Sequence, residues 1–175
     1  MPDISLAEFA TNFDRSTLQP RLLEAEKQRQ TILDQFPREG LRTLEMARYV
    51  GDRENRLTLS WLLARGTPAL GDITDVAFKA IGIHKLKDSE LYRTTLTTTG
   101  NAAEDWEGLR DGLAQCCDLV LSQQWEDINK VAYASCVPAL RTKLLFVYFP
   151  NESGPRAVAA EIEHFLSALG ISRPK

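Results

Sequence analysis

The chain has 175 residues, 43% of them apolar and 26% charged, with a net charge of −3. This length buries roughly two-thirds of the unfolded surface in one domain, and no run nears the roughly 18 apolar residues that span a bilayer. The N-terminus MPDISLAEFATNFDR has no basic region before an apolar stretch, so no secretory signal is expected and the expected location is cytoplasmic.

Ser5 and Glu8 form a capping box, with Leu6, Phe9 and Phe13 at helical spacing behind it. A longer helix is predicted from Leu18 to Gln35. Its apolar stripe is Leu22, Ala25, Ile32, Leu33 and Phe36, and its solvated face carries Glu24, Lys27, Gln28 and Gln30. Phe36-Pro37 ends it, because a residue before proline is pushed out of the α region. Residues 41–50 read as a short helix running into the polar turn 51–55. LTLSWLLARG (57–66) is apolar on nearly all sides and reads as a buried helix with Gly66 as its C-cap. Leu70-Gly71-Asp72-Ile73 reads as a turn into a strand.

Phe78 to His84 and the threonine-rich 91–99 segment read as an antiparallel pair joined at 85–90. The threonine side is expected to face solvent, since hydroxyls turned toward a core need partners. Asn101-x-x-Glu104 caps the next helix, whose buried stripe is Trp106, Leu109, Leu113, Cys117 and Val120. Ser122 opens a short helix with Trp125, Ile128 and Val131, and ALRTKLLFVYFP follows Val137-Pro138. A last helix begins near Pro155 and ends at Gly170. The expected architecture is α+β: one mainly helical domain over 1–171 with a small antiparallel hairpin packed against helices, and 172–175 as a tail or start of a linker.

Chemical signatures are scarce. No phosphate-binding glycine loop, dinucleotide fingerprint or serine elbow is present. Every lysine lacks the carboxylate two residues upstream that metal-dependent nucleases use. With only His84 and His164, a zinc or histidine-metal site lacks ligands, and His164 beside Glu161 reads as a surface histidine. Cys116, Cys117 and Cys136 form no metal-binding pattern and read as small buried hydrophobes. No catalytic, metal or cofactor site is expected.

Charge is uneven: residues 36–100 hold ten basic against eight acidic residues, and residues 101–135 two against seven. Lys79, His84, Lys85, Lys87 and Arg93 lie on or beside the predicted hairpin, with Trp61, Arg65 and Tyr92 as further candidates. Cations meeting phosphates and aromatics stacking on bases form a workable nucleic-acid surface. On the residues alone, the simpler reading is a solvated hairpin over an aromatic core.

The order NFDR…LLEAEKQRQTILDQFP, LTLSWLLARGTPALGDI, AFKAIGIHK and LRTKLLFVYFP resembles an uncharacterised bacterial N-terminal domain. That domain stands ahead of McrB-type AAA+ NTPases, the motors of modification-dependent (type IV) restriction systems. Phe36-Pro37, Trp61-Leu62, Leu70-Gly71-x-Ile73, Lys79, Gly82-Ile83 and Tyr148-x-Pro150 fall on the pattern. Thr74-Asp75, Leu63 and His84 depart from it, where the family tends to have paired glycines, glutamate and tyrosine. The resemblance implies a non-catalytic DNA-recognition module, a modified-base sensor for an antiviral restriction system, with DNA, an AAA+ motor and a nuclease as partners. It leaves the two-glycine turn's ligand in question here. The alternative is a protein-interaction or assembly domain of such a system, which the acidic helix at 102–120 would suit.

Overall fold

The computed structural model describes residues 15–50, 56–71, 73, 81–86, 89, 91–96 and 98–153. The expected helices at 5–13 and 155–170, the tail at 172–175, the turn at 51–55 and the segment 74–80 lie outside the described residues. Helix α1 spans Gln19–Gln35 and is entered through a 3₁₀ turn, Arg15–Leu18, with Pro20 in its first turn, where a missing N–H is harmless. A 3₁₀ turn, Arg38–Thr43, leads to the short α2, Met46–Tyr49, so the single helix expected at 41–50 is broken. The break falls at Leu44 and Glu45, which are extended. Helix α3, Leu59–Trp61, passes directly into a π turn, Leu62–Gly66, and a 3₁₀ turn, Pro68–Leu70, follows.

Strands β1, Ile83–Lys85, and β2, Tyr92–Thr94, form a two-stranded antiparallel sheet. Helix α4 spans Ala102–Leu121, a 3₁₀ turn spans Trp125–Lys130, and α5, Ala132–Ser135, and α6, Pro138–Tyr148, complete the described order. The α+β, mainly helical expectation is what the structure has. Among the described residues, no helix is long and apolar enough to cross a membrane.

The helix starts follow from their residues. Asn101 Oδ1 accepts from the Ala103 N–H at 3.0 Å, and its Nδ2 donates to Glu104 Oε1 at 2.9 Å, which satisfies an otherwise orphaned helix donor. Trp106, Leu109, Leu113, Cys117 and Val120 are all buried, as the 3.6-residue spacing predicts. Ser122 caps the end of α4 and opens no helix of its own.

The α1 stripe is only partly packed. Ile32 and Phe36 are buried and Ala25 and Leu33 half-buried, but Leu22 is 51% exposed. Leu22 lies N-terminal to the stretch, Arg29 to the cap residue Phe36, that bonds to Val147 and Tyr148 at the end of α6. Arg29 continues the buried side and donates from Nε to the Val147 carbonyl at 2.8 Å. Gln28, expected on the solvated face, is half-buried and accepts from the Ala69 N–H at 2.9 Å.

Gly66 is no left-handed cap. It sits within the π turn beneath the Trp61 ring, where a Cβ would lie 2.6 Å from Trp61 Cζ3. Lys143 is buried on α6 and donates from Nζ to the carbonyls of Thr67, at 3.0 Å, and Gly71, which ties the 67–71 turn to that helix. Cys116 and Cys117 are buried, but Cys136, the residue that ends α5, is exposed.

Candidate nucleic-acid interface

The ribbon begins from a glycine that its surroundings demand. Gly82 has φ +77°, a left-handed conformation that favours glycine, and a Cβ there would lie 2.9 Å from Leu96 Cδ2 and 3.2 Å from Val137 Cγ1. Its carbonyl accepts from the Thr95 N–H at 2.7 Å and from Thr95 Oγ1 at 3.1 Å. The register then pairs Ile83 with Thr94, His84 with Arg93 and Lys85 with Tyr92. Leu86 N–H donates to the Leu91 carbonyl at 2.9 Å and carries the ladder toward the turn.

Strand alternation divides these residues between two faces. Ile83, Tyr92, Thr94 and the following Leu96 turn inward; Ile83 and Leu96 are buried, and Tyr92 packs on the core. Lys85 is half-buried on that same inward side. His84, Leu86, Leu91 and Arg93 form the outward face, with Leu86 38% and Leu91 66% exposed. The hairpin cations expected to act together are therefore split: His84 and Arg93 share a face, and Lys85 lies on the other. Lys79 and Lys87 lie outside the described residues.

Partial burial, and next the neighbouring Arg93 charge, hold the His84 imidazole below the usual histidine range. His84 is accordingly neutral at pH 7, and the formal charge of this face is carried by Arg93. Among the described residues, no salt bridge involves Arg93.

Trp61 and Arg65 belong to a different support. Their helical run packs against α2 and α6, whereas the ribbon packs on α4. Trp61 is half-buried and joins the core, with its ring over Gly66, and Arg65 is exposed. The core role that the sequence allowed for Trp61 is the one its packing gives it.

Two ties that the sequence reading missed hold the ribbon to the helices. Tyr49 is fully buried, stacks at 4.6 Å on Trp106 of α4, and donates its hydroxyl to the Ile81 carbonyl at 2.6 Å, just before the ribbon. Asp105 is also fully buried and gathers the threonines between β2 and α4. Its Oδ1 accepts from Thr98 Oγ1, from the Thr99 N–H at 3.1 Å and from Thr99 Oγ1 at 3.0 Å. Burial alone would raise this carboxyl, but hydrogen bonds led by Thr98 and Thr94 outweigh it and hold it below the ordinary carboxylate range. Thr95, Thr98 and Thr99 are exposed, as expected, and the hydroxyls of Thr98 and Thr99 still find a partner in this buried carboxylate. The available signal was the run's position, immediately upstream of a capped helix with an acidic first turn.

Elsewhere the chemistry is muted. A cleft of about 250 Å³ is lined by Phe36, Leu41 and Leu44 with Glu45 and Arg48 at its rim, and one of about 150 Å³ lies between Arg38, Arg42, Cys117 and Asp118. Both fall below the roughly 300–1,000 Å³ of small-molecule sites, and each mixes both signs of charge. Burial pushes the Cys116 and Cys117 thiols up to about 11 and about 12, away from the thiolate a nucleophile needs. Among the described residues, no cluster of three or more His, Cys, Asp or Glu side chains is placed to hold a metal ion. No protein-family model, curated protein or solved structure matches the chain.

Proposed function

We propose that this protein is a non-catalytic DNA-recognition module, the target-choosing part of a cytoplasmic restriction system built on a McrB-type AAA+ motor and a partner nuclease. The observation that carries this reading is the ribbon. A short antiparallel pair, tied to the helices at its base, presents Arg93 and His84 outward beside exposed leucines. An exposed two-stranded ribbon is one of the two element types that the DNA major groove admits. The resemblance of the segments around Trp61-Leu62, Gly82-Ile83 and Tyr148-x-Pro150 to the domain ahead of such motors supplies the biological setting.

The test is fluorescence anisotropy of labelled duplex and single-stranded DNA with the full chain, at two salt concentrations. Binding that weakens with salt is expected. Arg93→Ala should weaken binding by about fivefold or more and leave the melting temperature unchanged. Absence of binding at low salt would overturn this reading. It would favour an assembly domain instead, for which the exposed Leu121 and Trp125 beside the acidic α4 offer a surface.

A further inference from the structure

The outward face of the ribbon carries more than charge. Leu86 and Leu91 lie directly across from each other at its far end, joined by the Leu86 N–H to Leu91 carbonyl bond, and both are exposed. A hairpin that merely solvated itself, or that gripped phosphates alone, would gain nothing from two leucines there. Arg93 stands two residues from Leu91 on the same strand and the same face. Strand geometry sets their separation at about 6.8 Å, close to two base-pair steps of about 3.4 Å each. Adjacent strands lie about 4.8 Å apart, so the ribbon fits a major groove about 12 Å wide.

Resting on the DNA-recognition reading, we propose that this face lies along the major groove of duplex DNA and reads bases. Arg93 donates to O6 and N7 of a guanine, and Leu91 with Leu86 contacts the C5-methyl group of a thymine about two steps away. Arginine on guanine and an apolar side chain on the thymine methyl are the pairings that groove chemistry favours. His84, across the ribbon from Arg93, contacts the flanking backbone. Lys85, on the inward face, takes no part in base reading.

The experiment begins with selection of a duplex from a random library on the full chain. The selected duplex is then remade in two forms. In one, deoxyuridine replaces thymidine and deletes only the methyl groups. In the other, 7-deazaguanine replaces guanine and deletes only N7. Each form should weaken wild-type binding by about fivefold or more. Leu91→Ala should lose the penalty for deoxyuridine and keep the salt dependence, and Arg93→Ala should lose the penalty for 7-deazaguanine. Both side chains are exposed, so unchanged melting temperatures are expected to confirm folding. Equal affinity for all three duplexes, or a selection that enriches no sequence, would overturn base reading and leave salt-dependent recognition standing. A leucine substitution that left every DNA affinity unchanged but abolished binding to a protein partner would also overturn it.

Discussion

Alanine at Gly82 and at Gly100 separates the conformational demand of the ribbon's seat from its steric demand. The two glycines have nearly the same backbone, φ +77° and +76°. At Gly100 a Cβ meets nothing within 4 Å. Alanine there carries only the left-handed penalty of roughly 1–2 kcal/mol, offset by about 0.4–1 kcal/mol from the stiffer unfolded chain. Gly100→Ala should therefore destabilise by about 0–1.6 kcal/mol. At Gly82 the same Cβ lies 2.9 Å from Leu96 Cδ2 and 3.2 Å from both Leu96 Cγ and Val137 Cγ1. A flexible side chain at a surface would rotate away, but Leu96 and Val137 are both buried in the core. Overpacking of this kind adds about 1–3 kcal/mol, which brings Gly82→Ala to about 1–4.6 kcal/mol. Urea denaturation of both variants measures the difference directly, with the midpoint shift taken at constant m-value. If Gly82→Ala proves no worse than Gly100→Ala, the seat gives way and the ribbon is not held as described.

Asp105 links stability to pH. Its carboxyl is held below its unfolded value near 3.8, so its stabilising effect is complete above that value and is lost as pH falls through the lowered native one. Asp105→Asn should remove about 1.5–3 kcal/mol at neutral pH and flatten the acid limb of stability against pH; an unchanged limb would refute the assignment. Thiol titration of the native protein should find Cys136 reacting rapidly, and Cys116 and Cys117 reacting only as the chain unfolds. Tyr148→Phe should lower stability by about 1 kcal/mol, because the Tyr148 hydroxyl donates to the Phe36 carbonyl at 2.7 Å and closes the end of α1; denaturant midpoints check it.

Local signals were readable where one segment supplies its own physics. The Asn101–Glu104 cap and the α4 stripe need only neighbouring residues, and both are present in the fold. Periodicity places Leu22 on the α1 stripe because it marks what a helix could bury, whereas tertiary packing decides what it does bury, and Leu22 is exposed. Gly66 looked like a cap because it ends an apolar run, but the reason for glycine there is the Trp61 ring. Asp105 and its threonines were invisible for a related reason. Thr98 and Thr99 are exposed as a polar run should be, but nothing in the run itself shows that their hydroxyls meet a buried carboxylate six or seven residues away.

The candidate site shows the same division most sharply. Composition alone groups His84, Lys85 and Arg93 as one basic cluster, since they are close in sequence and similar in charge. The register, fixed by Gly82 at one end and the Leu86–Leu91 bond at the other, places Lys85 inward with Ile83 and Tyr92. A slip of one residue would exchange the faces: Lys85 would turn outward, and His84 would be driven toward the core. The left-handed glycine packed against Leu96 and Val137 opposes that slip, because any other residue brought to its place would meet the same contacts. Which cation faces a ligand is thus decided by a glycine that touches no ligand. A charge-reversal scan should consequently find Arg93 sensitive and Lys85 much less so in DNA affinity, although the two differ little in sequence context.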